Sequence, residues 1–352
     1  MAPLETNNTP LNTPISGTVS TADLEATIAH LKRTIADLEA TAPSGPNKRL
    51  TSTVTLGRGY RRVCSMFQDI STLVQEADRC EEDDSEDEGD TAPSPEAMRN
   101  RDHTFTAYQE LVCVISGFKT NLLNTDSGVL ASYYNEARSD EICAIKKNVA
   151  EWLNQSSATT PRLEPNNCST CRLKHNTTGC LLCPIELEWD NPEIHTKIQN
   201  GNEGYDISQS MYPRLLYKAG NGDPNDMEKG LFRSALHVKV LLAIFTSLSS
   251  AKKVPTFELE NVNGASENSA PRPLKATKSN VTQKLNLKEV TPCTIAYATV
   301  ILHFLLTDAT HWNPTYNGFS YELFYNFIVD YFEDAEGPQA KEHVKSLLAW
   351  WN

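Results

Sequence analysis

"GLFRSALHVKVLLAIFTSLSS", residues 230–250, places apolar side chains nearly all round a helix, and such a helix is stable only when a core surrounds it. The longest apolar run, "TIAYATVILHFLL", follows Pro292, a residue suited to the first turn of a helix. It is shorter than the ~20 residues that cross a bilayer, so both stretches call for burial in protein. Helical spacing supplies the elements to surround them. Phe105, Tyr108, Leu111, Val112 and Ile115 share one face, and Ile142, Ile145, Val149, Trp152 and Leu153 share another, with Ser139 or Asp140 as cap. Tyr321 to Phe332 and the set Val344, Leu347, Leu348 and Trp351 form two more, and a short helix is expected at 193–199. No stretch sustains a period-two alternation. The expected fold class is therefore mainly α: a single irregular helical core domain, residues 103–352, preceded by a short coiled-coil helix and a disordered acidic linker.

The region before that core divides by composition. Residues 1–19 are rich in Thr, Pro and Asn, with too little apolar surface to offset backbone entropy, and read as disordered. Within 20–40, Leu24, Ile28, Leu31, Ile35 and Leu38 alternate steps of four and three, which predicts a short coiled-coil helix for self-association. Residues 41–80 hold a basic segment and a helix expected to run unbroken from Arg58 through "YRRVCSMFQDISTLVQEADRC", with Val63, Phe67, Ile70 and Val74 on one face. Residues 81–102 read as an acidic disordered linker. Its run "EEDDSEDEGD" carries eight carboxylates, more than half of the net charge of -13. Residues 41–68, by contrast, contain no acid, and there Lys48, Arg49, Arg58, Arg61 and Arg62 form a candidate phosphate-contacting patch for nucleic acid. A polar, proline-containing insertion at 252–286 is expected to be mobile.

Four of the nine cysteines fall in "CSTCRLKHNTTGCLLC", a Cys-rich loop spanning 165–185. Cys168, Cys171, Cys180 and Cys183 form two Cys-x-x-Cys pairs, each able to present two thiolates to one tetrahedral ion, with His175 between them as a spare ligand. A structural zinc is the one cofactor this pattern suggests. The alternative is that the first pair sits in a loop while Cys180 and Cys183 enter the core beside Leu181 and Leu182.

Several phrases, "LGRGYRRVCSMF", "EARSDEICAIKKNVAEWLN", "LLCPIELEWDN", "YPRLLYKAGNGDPNDMEKGLFRS", "AIFTSLSSA", "VTPCTIAYATVILHF" and the closing "LLAWWN", occur in the same order in an uncharacterised domain family of mushroom-forming fungi, which the chain resembles over about residues 55–352. The resemblance implies a domain of unknown function with no assigned activity, catalytic residue or cofactor. Two departures stand out. The family phrase before "LLCP" lacks cysteines 168, 171 and 180, and its "IFTSPSS" reads "IFTSLSS" here, with Leu248 in place of proline.

Catalytic signatures are absent from the sequence: there is no G-x-S-x-G elbow, no P-loop and no dinucleotide fingerprint. His237 and His303 lie in apolar helices, where a hydrogen-bonded core histidine is the plain expectation. An enzyme would need a cleft lined by His311, Asp308 or His237. The N-terminus lacks the charge and apolar run of a secretory signal, so the expected location is intracellular, nucleus or cytoplasm, without a membrane. Two functions are expected from these features. One is a non-enzymatic binding or scaffold protein with protein partners or copies of itself joined through the N-terminal helix. The other is a zinc-stabilised factor associated with nucleic acid or chromatin.

Overall fold

The computed structural model describes residues 59–82, 94–114, 142, 145–164, 167, 169–254, 282 and 287–352. All of them belong to one compact unit, 51–352, and they are mainly helical. In chain order the helices are α1 (Ile70–Glu82), α2 (Pro95–Val114), α3 (Asn176–Leu182), α4 (Pro192–Asn200), α5 (Ala235–Phe245), α6 (Leu248–Ala251), α7 (Pro292–Leu305), α8 (Tyr321–Glu333) and α9 (Gly337–Trp351). Helical residues also occur at 59–63 and 145–153, and three-residue 3-10 turns at Arg172–Lys174, Arg214–Leu216 and Lys218–Gly220. Among the described residues the strands are a single two-residue pair, β1 (Thr315–Tyr316) and β2 (Phe319–Ser320).

The centre is α7, in which every residue from Cys293 to Leu305 is buried. Thr291 closes a capping box with Thr294 ahead of it, and Pro292 takes the first turn, where its missing N–H costs nothing. It packs against α5 and α8. The apolar-all-round stretch at 230–250 thus forms a buried helix as its composition requires, although it starts only at Ser234, whose hydroxyl accepts from the His237 N–H. His237 is a satisfied core residue on one side: the Thr299 hydroxyl donates to Ile295 O at 2.9 Å, so its lone pair is left to accept from His237 Nε2, 3.1 Å away. Leu248 opens α6 at its first position, with Ser247 capping Ser250. The first position of a helix accepts proline as readily as leucine.

Three expectations change. The helix predicted from Arg58 onward breaks at 64–69 and restarts as α1. Side chains take over the backbone partners in the break: Ser65 Oγ accepts from Gln68 N, Tyr60 Oη donates to Gln68 O, and Arg61 donates to Met66 O and Asp69. The linker expected to reach 102 already gives way to α2 at Pro95, where Ser94 Oγ accepts from Ala97 N. Ser-Pro-Glu is a helix start in its own right. Finally, the core does not begin at 103, because Tyr60, Val63, Met66, Ile70 and Leu73 are buried in the same cluster as Leu111, Tyr325 and α7.

Candidate functional site: a cleft beside the hairpin

"TYNGFS" builds one wall of a cleft. Asn317 and Gly318 have φ of 49° and 78°, the left-handed pair a two-residue hairpin turn requires, and Asn-Gly supplies it at low cost. The register sets Tyr316 opposite Phe319, and Tyr321 N donates to Pro314 O, which anchors the hairpin to the start of α8. Phe319 lies flat on the His303 ring of α7, with centroids 4.4 Å apart and planes 11° apart.

The opposite wall comes from the Cys-rich segment. Arg172 holds φ = 61°, a strained value for a residue with a side chain, costing on the order of 1–2 kcal/mol. Two bonds hold it there: its N–H donates to Leu306 O at 3.0 Å, and its C=O accepts from the Thr178 hydroxyl at 2.7 Å. Its guanidinium lies over the Tyr316 ring, 5.8 Å from the centroid. Among the described residues no carboxylate pairs with it. Asp308, close by, is already bound by Lys174 Nζ at 3.2 Å and Tyr316 Oη at 3.1 Å.

Between the walls is a cleft open to solvent, about 390 Å³ with the solvent at its mouth included, bordered by Arg172, His303, Thr307, Tyr316, Phe319 and Tyr321 among others. His303 is 5% exposed and its Nδ1 is buried without a hydrogen-bond partner. Burial, with Arg172 adding to it, pushes its pKa down to about 3, so the ring is neutral near pH 7. The cleft therefore offers one cation, aromatic walls, hydroxyls and an uncharged imidazole. That combination suits an anion with an apolar body.

A second space of about 420 Å³ lies between α2 and α8, bordered by Cys64, Gln68, His103, Cys293, Tyr325 and Glu333 among others. At its edge the ligand-type atoms of His103, Asp330 and Asp334 come within 4.8 Å of one another. His103 Nε2 is 3.1 Å from Asp330 Oδ1, and Arg99 is 3.8 Å from Asp334. These contacts account for the group as an ion-pair network joining two helices.

The sequence-predicted residues are placed as follows. Leu24, Ile28, Leu31, Ile35, Leu38, Lys48, Arg49, Arg58 and Cys168 lie outside the described residues. Arg61 is pinned to its own turn by the bonds given above, with its side chain 12% exposed. Arg62 is half-buried. Cys171 is buried in the main core, whereas Cys183, with Cys180 packed against it, belongs to a smaller cluster around Trp189 and Ile198. The three thiols do not form a ligand group, since among the described residues the set at His103 is the one that gathers three ligand atoms. Burial pushes the Cys183 thiol up to about 12. His175 caps α3 instead of waiting as a spare ligand: Nδ1 accepts from Thr177 N at 3.1 Å, and Nε2 bonds to Pro161 O at 2.7 Å. Both ring nitrogens are spoken for. His311 is exposed and bonded to Thr310, Asp308 is paired with Lys174 and Tyr316, and His237 is bonded to Thr299.

Sequence reasoning passed over Arg172, Tyr316 and Phe319. The signal for the hairpin was "NG" between aromatic residues, hidden because its strands are only two residues long. Nothing local marks Arg172.

Residues 132–352 match the model of a family of unknown function (DUF6698). No curated protein and no solved structure matches the chain.

Proposed function

We propose that this chain, which belongs to that family of unknown function and takes no assigned activity from it, is a ligand-binding protein whose cleft between the Cys-rich segment and the hairpin holds a small organic anion. The observation that carries the reading is Arg172: a cation with no acidic partner among the described residues, held in a strained backbone conformation at the mouth of an aromatic cleft. Strain of that kind persists where the surroundings over-determine it, which is the pattern of ligand clamps. Rings on the facing walls supply apolar contact, and Arg172 supplies the charge.

The test is calorimetric titration of benzoate into the full chain and into Arg172→Gln. Saturable binding by the wild type, weakened at least about tenfold in the variant, is the expected result, since a charge-assisted hydrogen bond is worth roughly 1.5–3 kcal/mol. Absence of saturable binding in the wild type, or equal affinity in both proteins, overturns the reading.

A further inference from the structure

Two polar groups that border the cleft differ in kind. Arg172 is charged, while His303 is a neutral imidazole with no hydrogen-bond partner among the described residues. An uncharged, buried ring discriminates poorly between ions and well between groups that make a hydrogen bond and groups that do not, because a polar atom left unpaired in a closed site loses a full bond. Its Nδ1 is sealed inside the protein, which leaves Nε2 as the ring's polar atom able to meet a ligand in the cleft that His303 borders. A neutral imidazole carries its proton on one nitrogen or the other, and a hydroxyl, being donor and acceptor at once, satisfies Nε2 in either form. Tyr316, Phe319 and Tyr321 border the same space. Aromatic borders suit an aromatic body.

We infer that the ligand is a single-ring aromatic carboxylate bearing a ring hydroxyl, with the carboxylate at Arg172, the ring along Tyr316, Phe319 and Tyr321, and the hydroxyl at His303. This rests on the reading of the cleft as an anion site and adds the second, neutral contact. His303 is then the residue that sets specificity, and Arg172 the one that sets affinity for anions.

The experiment compares matched pairs on the full-length chain: 4-hydroxybenzoate with 4-methylbenzoate, and 3-hydroxybenzoate with 3-methylbenzoate. Members of a pair have nearly the same size and charge and differ in the hydroxyl. In the wild type one hydroxyl isomer is expected to bind about fivefold to tenfold more tightly than its methyl partner, the return from one well-made hydrogen bond. In His303→Phe, which keeps the ring against Phe319, that ratio is expected to fall to about one while the methyl compounds bind as before. Equal affinity within both pairs in the wild type overturns the inference and leaves the anion site standing. A ratio unchanged in His303→Phe overturns it too, as does inorganic phosphate binding as tightly as either hydroxybenzoate. Failure of every aromatic acid removes the anion site itself. If His303→Phe does not fold, the wild-type ratios and their independence of Arg172→Gln decide alone.

Discussion

Gly179 and Gly318 are glycines for opposite reasons. Gly179 sits within α3, and a Cβ there would fall 2.2 Å from Cη2 of Trp189, whose indole N–H is held by Asn176 Oδ1 at 2.9 Å. Gly318 has nothing within 4 Å of such a Cβ but holds φ = 78°. Gly179→Ala should therefore cost about 1–3 kcal/mol through overpacking, whereas Gly318→Ala should cost about 1 kcal/mol through backbone strain alone. Urea unfolding of both variants checks the order. A cost at Gly318 above that at Gly179 would mean the Trp189 ring yields easily. Local spacing misled at this scale. Between paired cysteines a glycine reads as loop, yet here it is the helical residue that admits a tryptophan, and the thiols around it point into packed interior.

At the scale of elements, the contact of α2 with α8 depends on protons. Burial, with Glu333 adding to it, pushes the Glu110 pKa up to about 8 from an ordinary 4.5, so the folded chain holds a proton that the unfolded chain releases. Stability from this group falls as pH rises between about 4.5 and about 8. His103 is raised as well, by its contact with Asp330. Its contribution is complete below the ordinary value of about 6.5 and is lost as pH rises through the higher folded value. The two act in the same direction. Glu110→Gln should thus gain on the wild type between about pH 5 and about pH 9, and His103→Gln should be most harmful at the acid end; chemical denaturation at both pH values measures each difference. A pH-independent difference for either variant defeats that assignment. Helices were legible in the chain because apolar spacing alone decides most of them, as at α5, α7 and α8. Breaks were not, since the interruption at 64–69 depends on where the Arg61, Tyr60 and Ser65 side chains find backbone partners.

On the whole molecule, the family match begins at residue 132, but the core does not. Tyr60, Val63, Met66, Leu73 and Leu111 are all at most 1% exposed and lie in the same cluster as α7 and α8. A fragment of residues 132–352 should accordingly lose the cooperative thermal unfolding that a 59–352 fragment retains, and equal transitions in calorimetry would show the earlier helices to be dispensable. The cleft was the least legible part of all. Arg172 comes from a stretch more than 130 residues before His303 and the hairpin residues Tyr316 and Tyr321, and no short window of sequence contains their meeting. The bond from Lys174 to Asp308 spans 134 residues, and Arg172 N–H reaches across a similar gap to Leu306. On the ribosome, Arg172 emerges long before Leu306, one of the two residues that hold its backbone, and before Tyr316, over whose ring its guanidinium lies. The cleft needs residues from Arg172 through Tyr321, and a product stopped before the hairpin lacks one of its walls.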